Sequence, residues 1–131
     1  MIAIVDYGVG NICSLYNSFK YIGVEAVLTS DKDTIIKSDK IILPGVGAFA
    51  DAAKKLQDSG LGEIIVNEAK SSKPLLGICL GMQLLFDKSY EYGETKGLGL
   101  IKGDIIPIES VVPKNHKIPH IGWNGLHFPK Y

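Results

Sequence analysis

The sequence predicts an α/β fold, a mostly parallel sheet with helices on both faces. Three observations carry this. Short apolar runs alternate with amphipathic stretches of helical period, several of those runs end in glycine-rich turns, and 131 residues with 46% hydrophobic content suffice for one core but not for two ordinary domains.

Ile2 to Asp6 reads as the first strand and Tyr7-Gly8-Val9-Gly10-Asn11 as the turn that follows it. Ile12 to Ile22 is a helix with Ile12, Leu15, Tyr16, Phe19 and Ile22 on one face, and Cys13 on or beside that face as packing. Gly23 stops the helix, Val24 to Leu28 is the second strand, and Thr29-Ser30-Asp31 is a turn that caps the short segment after it. Asp39 to Leu43 is a third strand, ending in a second glycine-rich turn, Pro44-Gly45-Val46-Gly47-Ala48-Phe49. Ala50 to Ser59 and Leu61 to Lys70 read as helices separated by Gly60, and Leu75 to Cys79 as a buried strand that runs straight into residues favouring helix.

After Phe86 the pattern changes. Asp87 to Lys96 is polar and reads as loop, while Leu98 to Gly103 and Asp104 to Ile108 read as short strands or a hairpin. Val111 to Lys117 is a loop, and Ile118 to Gly125 carries the only tryptophan, Trp123. No internal repeat or low-complexity tract is present. The β-α-β-α order implies Rossmann-like or flavodoxin-like layering, in which ligands bind at the carboxyl ends of the strands. The turns after Asp6, Leu43 and Ile78 all fall on that edge.

Fourteen basic and fourteen acidic residues cancel, with no basic run set apart, so neither nucleic acid nor an anionic membrane is indicated as a partner. The apolar start, Met1 to Val5, has no basic leader or cleavage site, and no apolar run approaches the ~20 residues of a membrane span. A cytoplasmic protein is expected. Cys13 and Cys79 form neither a disulfide framework nor a metal-ligand spacing, which suits a reducing compartment.

The chemistry is expected at Gly77-Ile78-Cys79-Leu80-Gly81. A cysteine closing an apolar strand is by itself usually a small buried hydrophobe. Glycines at both −2 and +2, a strand before and a helix after change that reading: the pattern is a sharp elbow that holds its central residue in a strained conformation and turns the sulfur out of the top of the sheet. A Cβ at Gly77 or Gly81 would collide with the neighbouring strand or helix. The positive end of the following helix and the free N–H of Leu80 both favour a thiolate, and that N–H is a ready oxyanion donor. The Gly45-Val46-Gly47 turn, which alone would be an ordinary chain reversal, is placed to aim a second N–H at the same oxygen. Neither this turn nor Gly8-Val9-Gly10 completes a dinucleotide fingerprint, so no nicotinamide cofactor is expected.

Gly77-Ile78-Cys79-Leu80-Gly81-Met82-Gln83 resembles the nucleophile motif of class I, triad-type glutamine amidotransferases. Together with Asp6 to Asn11, Leu43 to Phe49 and Pro119-His120-Ile121-Gly122-Trp123-Asn124, the resemblance narrows to the glutaminase subunits of imidazole glycerol phosphate synthases, and it runs from Met1 to about Asn124. It implies a flavodoxin-like amidotransferase fold in which Cys79 attacks the side-chain amide of glutamine, forms a glutamyl thioester and releases ammonia to a separate cyclase subunit, as a heterodimer in histidine biosynthesis. On the same resemblance the N–H groups of Leu80 and of the Val46-Gly47 turn form the oxyanion hole, and Gly47, Gln83 and Glu91 contact glutamine. Asn11 braces the oxyanion turn, and His120, Trp123 and Asn124 face the partner. No cofactor and no metal are implied.

The pattern departs from the family in one respect. Triad glutaminases carry a late His-Pro-Glu segment, and here the histidines stand in His116-Lys117-Ile118, His120-Ile121-Gly122 and His127-Phe128-Pro129. The triad His and Glu are therefore not in these residues. Residues 1–131 are expected to be a single but incomplete domain lacking its last C-terminal elements, with apolar surface and a strand edge exposed and little turnover alone. Three alternatives stay open: a paralogue feeding ammonia to sugar-modifying synthetases for surface polysaccharides, an inactive partner subunit, and a cysteine-elbow protein of redox or deglycase type with Asp6 as its carboxylate.

Overall fold

The computed structural model describes residues 1–130. Its centre is a four-stranded parallel sheet in the order β2-β1-β3-β4, built from β1 (Ile2–Val5), β2 (Ala26–Thr29), β3 (Lys40–Leu43) and β4 (Leu75–Gly77). That is the flavodoxin-like order, and the turns after Val5, Leu43 and Gly77 emerge together at the carboxyl edge.

Between these strands lie α1 (Ile12–Tyr21), α2 (Lys32–Lys37), α3 (Phe49–Ser59) and α4 (Leu61–Lys70). The period-two alternation of β1 and β3 divides their side chains between two faces. Ala3, Val5, Ile41 and Leu43 join Ile35 of α2, Phe49, Ala52 and Leu56 of α3, and Leu61 and Ile65 of α4 in one buried cluster. The register places Leu28, Ile4, Ile42 and Leu76 in a row on the opposite face. Ile4 and Ile42 are buried, Leu28 is partly open and Leu76 is 55% exposed at the β4 edge. No residue of α1 is buried, and Cys13, expected as packing, is exposed. The amphipathic spacing of α1 gives a helix that lies over the sheet with its apolar side only half covered.

Helix boundaries follow local chemistry. Asp31 caps α2 by accepting from the Thr34 N–H at 2.8 Å and from its hydroxyl at 2.6 Å, and these bonds, the hydroxyl's foremost, hold the carboxyl below its ordinary pKa. Gly60, at φ +68°, ends α3 and begins α4 in one left-handed residue.

Past the elbow two expectations are corrected. Asp87 to Lys96 is no loop: β5 (Phe86–Ser89) and β6 (Thr95–Lys96) form an antiparallel hairpin. Its inward residue is Ser89, fully buried, so apolar alternation gave no signal. Leu98 to Ile108 is neither a pair of strands nor a hairpin. It contains one strand, β7 (Ile101–Ile105), which pairs parallel with β5 across an irregular register, and then a single 3-10 turn, Ile108–Ser110. A second, three-stranded sheet in the order β6-β5-β7 thus stands beside the first.

Candidate active site

β4 continues its pairing to Ile78, whose N–H donates to the Leu43 carbonyl at 3.0 Å, and the chain then breaks sharply at Cys79. Cys79 has φ +54° and ψ −117°, a conformation in which a side chain is crowded by its own backbone. Neighbouring packing enforces it. A Cβ on Gly77 would lie 2.5 Å from Met82 Cα, and a Cβ on Gly81 would overlap the Leu43 carbonyl oxygen, so β4, the elbow and the end of β3 meet backbone to backbone. Met82 and Gln83 both donate their N–H groups to the Cys79 carbonyl, at 3.0 and 3.1 Å. The outcome is an exposed thiol on a rigid, strained corner.

The helix after the elbow is a single turn, α5 (Leu80–Gln83), so the electrostatic help expected from a full helix reduces to that of individual N–H groups. Gly81 donates to the Ile78 carbonyl at 2.9 Å, which leaves the Leu80 N–H without a protein acceptor among the described residues. Leu80 itself is anchored, its side chain buried.

The turn after β3 abuts this corner. Pro44 and Gly45 are buried, and a Cβ on Gly45 would come within 2.7 Å of the Gly81 amide nitrogen. Val46 is 52% exposed, and Gly47 sits at φ +94° with open space where a side chain would point. The turn is braced by Tyr7, whose hydroxyl donates to the Pro44 carbonyl at 2.7 Å, and by Gly10, where a Cβ would press on the Pro44 ring at 3.2 Å. Burial pushes the Tyr7 phenol up to about 12. Asn11 makes a different contact: its Oδ1 accepts from the Ser14 N–H at 3.4 Å and caps α1. Sequence reasoning passed over Tyr7 because it stood inside a glycine-rich turn. Its signal was an aromatic residue directly after a buried strand.

Glu91 arrives at the same turn from the β5–β6 connection. Its Oε2 accepts from the Phe49 N–H at 2.7 Å and so caps α3, whose own N-cap residue, Ala48, has no side chain able to do so. The Ser89 hydroxyl accepts from the Glu91 N–H at 3.1 Å and fixes the carboxylate's backbone. Gln83 is half-buried one turn beyond Cys79. Cys79, Leu80, Gln83, the Val46-Gly47 turn and Glu91 therefore belong to one assembly of elbow, turn and helix cap.

His116, His120 and His127 do not join it. All three are exposed on the stretch 106–130, and none hydrogen-bonds to Cys79 among the described residues. His120 Nε2 lies 3.3 Å from Asn124 Nδ2, and Trp123 is fully exposed beside them. Asp6, the carboxylate that a redox-type elbow would need, instead accepts from the Gly8 N–H at 3.1 Å. Among the described residues no three His, Cys, Asp or Glu side chains gather as a metal would require. Among the described residues no helix is long and apolar enough to cross a membrane.

Comparison with known proteins places residues 3–127 on the model of the class-I glutamine amidotransferase family. Similar curated proteins are named imidazole glycerol phosphate synthase subunit HisH. The one from Wolinella succinogenes is 48% identical over 131 residues, covering 99% of this chain and 64% of that protein. The one from Sulfurimonas denitrificans is 52% identical over 127 residues, covering 96% and 61%. The chain thus spans less than two thirds of the length of these relatives. A crystal structure of a glutamine amidotransferase superposes with a TM-score of 0.69 at 20% identity, over 81% of this chain and 56% of that one, and shows the shared fold.

Proposed function

The chain belongs to the class-I glutamine amidotransferase family, and from that premise we propose that it is the glutaminase subunit of an imidazole glycerol phosphate synthase, a cytoplasmic protein serving histidine biosynthesis, with residues 1–131 forming one incomplete amidotransferase domain. The Cys79 sulfur attacks the side-chain carbonyl carbon of glutamine, and the oxygen takes up negative charge as the centre becomes tetrahedral. The N–H groups of Leu80 and of the Val46-Gly47 turn hold that oxygen, a contribution of about 3 kcal/mol per donor in hydrolases of this kind. Collapse breaks the C–N bond and releases ammonia, and water then cleaves the thioester to glutamate and the free thiol. Gly47, Gln83 and Glu91 hold the substrate, and Asn11 supports the turn through the start of α1. His120, Trp123 and Asn124 meet the cyclase subunit, to which the ammonia passes.

One observation carries this reading: Cys79 is forced into a left-handed corner by glycines that leave no room for any other residue, beside a second turn with an unhindered Gly47. Fifty-per-cent-level identity to proteins named as synthase subunits supports the choice of pathway. The 131 residues turn over slowly by themselves, because no imidazole among those described stands at the thiol and a cysteine without its base loses several orders of magnitude in rate. The test is glutamate release from glutamine, by these residues and by the product of the whole reading frame, each mixed with a cyclase subunit. Activity that disappears in Cys79→Ala supports the reading, and glutamate release unchanged in that variant overturns it.

A further inference from the structure

A cavity of about 680 Å³ opens between the α3–α4 pair and β6, and Cys79 is not among the residues that line it. Its volume falls within the ordinary range of small-molecule pockets. Its two walls are set separately. On one side Gly60, at φ +68°, turns α3 directly into α4. On the other, a Cβ on Gly97 would lie 2.2 Å from the Phe86 carbonyl oxygen, and the Gly97 N–H donates to the Asp87 carbonyl at 2.8 Å. The Leu98 N–H donates to the Leu84 carbonyl at 2.8 Å, which ties this wall to the end of α5. The walls meet where a Cβ on Gly62 would stand 3.4 Å from Leu98 Cδ2. Neither wall has to move to open the space, so an occupant meets a formed site.

The lining states what kind of occupant fits. Leu56 and Leu84 lie beneath the floor, fully inside the core, and half-buried Ala53, Val66 and Leu98 present the apolar surface that a ligand reaches. Three charged side chains stand at the rim, Lys54, Glu63 and Lys96. Lys54 is engaged, with its Nζ 2.7 Å from Asp58 Oδ2. Glu63 on α4 and Lys96 on β6 face the cavity from opposite walls, and neither has an ion-pair partner among the described residues. A wholly apolar ligand leaves both charges unanswered, and a simple anion or cation answers one and meets repulsion from the other. A zwitterion with an apolar side chain answers both.

We propose that this cavity is a second small-molecule site, taking a free α-amino acid with an aliphatic or aromatic side chain: the ammonium group against Glu63, the carboxylate against Lys96 and the side chain on Leu98 and Val66. The site is separate from the glutamine chemistry of Cys79 and stands whether or not that reading holds.

The experiment titrates the isotope-labelled product of the whole reading frame with L-phenylalanine and with two analogues that each lack one charge, phenylpropionate and phenethylamine, and follows backbone amide shifts by NMR. L-Phenylalanine is expected to give saturable shifts at Ala53, Gly62, Gly97 and Leu98 with a Kd on the order of 1 mM, as befits so small a ligand. Each analogue binds about fivefold more weakly, the loss of one solvent-exposed charge contact. Glu63→Gln weakens L-phenylalanine about fivefold without weakening phenylpropionate, and Lys96→Gln does so without weakening phenethylamine. Ala53→Phe, which places a ring in the cavity, removes binding. Should that variant not fold, the two charge variants, both at exposed positions, still decide. Absence of saturable shifts, shifts centred instead on Gly47 and Gly81, or affinities for the three compounds within about twofold of one another overturn the proposal.

Discussion

Gly81 lies against Leu43 so closely that a Cβ on it would overlap the Leu43 carbonyl oxygen and come within 2.7 Å of the carbonyl carbon. Both partners are backbone, one inside a parallel sheet and one in the turn after Cys79, and neither can move without breaking strand pairing. Gly81→Ala is therefore expected to destabilise the chain by about 3 kcal/mol or more. Gly47→Ala, at φ +94° but with nothing nearby, should cost only about 1 kcal/mol of backbone strain. Urea midpoints of the two variants check the contrast, and equal losses would mean the elbow relaxes around a methyl group.

Strain at Cys79 has its own signature. A cysteine at φ +54° and ψ −117° sits where glycine is comfortable. Cys79→Gly is expected to raise stability by about 1 kcal/mol relative to wild type, while Cys79→Ala gains nothing, because alanine retains the Cβ. On the proposed function, both variants remove the nucleophile and with it glutamine hydrolysis by the complete enzyme. Paired thermal melts measure the difference, and a less stable Cys79→Gly would show that the corner is unstrained.

These relationships mark what the sequence could reveal. Gly77 and Gly81 flanking Cys79 announce a corner whose contacts leave no room for a side chain, and the short continuous apolar runs of β1 and β3 announce strands covered on both faces, as in a parallel sheet. The β5–β6 hairpin was illegible for the opposite reason. Its buried residue is Ser89, and its connection passes through Tyr92 at φ +54° before reaching Gly93, so neither alternation nor an ordinary turn dipeptide was there to read. The contact between Tyr7 and Pro44 joins residues 37 apart, and that between Phe49 and Glu91 joins residues 42 apart; only the packed fold sets such distances. Helical period puts Cys13 in packing, yet α1 buries none of its residues.

Tyr7 should give stability a dependence on high pH. Its phenol is pushed from the ordinary value near 10 up to about 12 by burial. The folded state thus holds the proton more tightly than the unfolded chain. The contribution is fully present below pH 10 and is lost as pH rises from there through about 12, and it amounts to no more than about 2 kcal/mol. Urea unfolding of wild type and Tyr7→Phe at pH 8 and pH 11 isolates it from other titrating groups. Wild type is expected to lead at pH 8 and to have given up part of that lead at pH 11; a constant gap would mean the hydroxyl is open to solvent.

Trp123 carries the last prediction. Its side chain is fully exposed, with Ile121 at 87% and Phe128 at 83% exposure on the same stretch, and the His120–Asn124 contact at 3.3 Å is the one side-chain hydrogen bond it makes among the described residues from 117 to 130. An indole with no burial contributes almost nothing to folding, so Trp123→Ala should leave the urea midpoint within about 0.5 kcal/mol of wild type. Exposed apolar side chains grouped in this way favour burial against a partner, and a tryptophan at such a place typically contributes about 2 kcal/mol to binding. If the proposed cyclase subunit is that partner, Trp123→Ala is expected to weaken association with it about thirtyfold by titration calorimetry. Unchanged affinity would remove Trp123 from the interface, and a large fall in stability would place it in the fold instead.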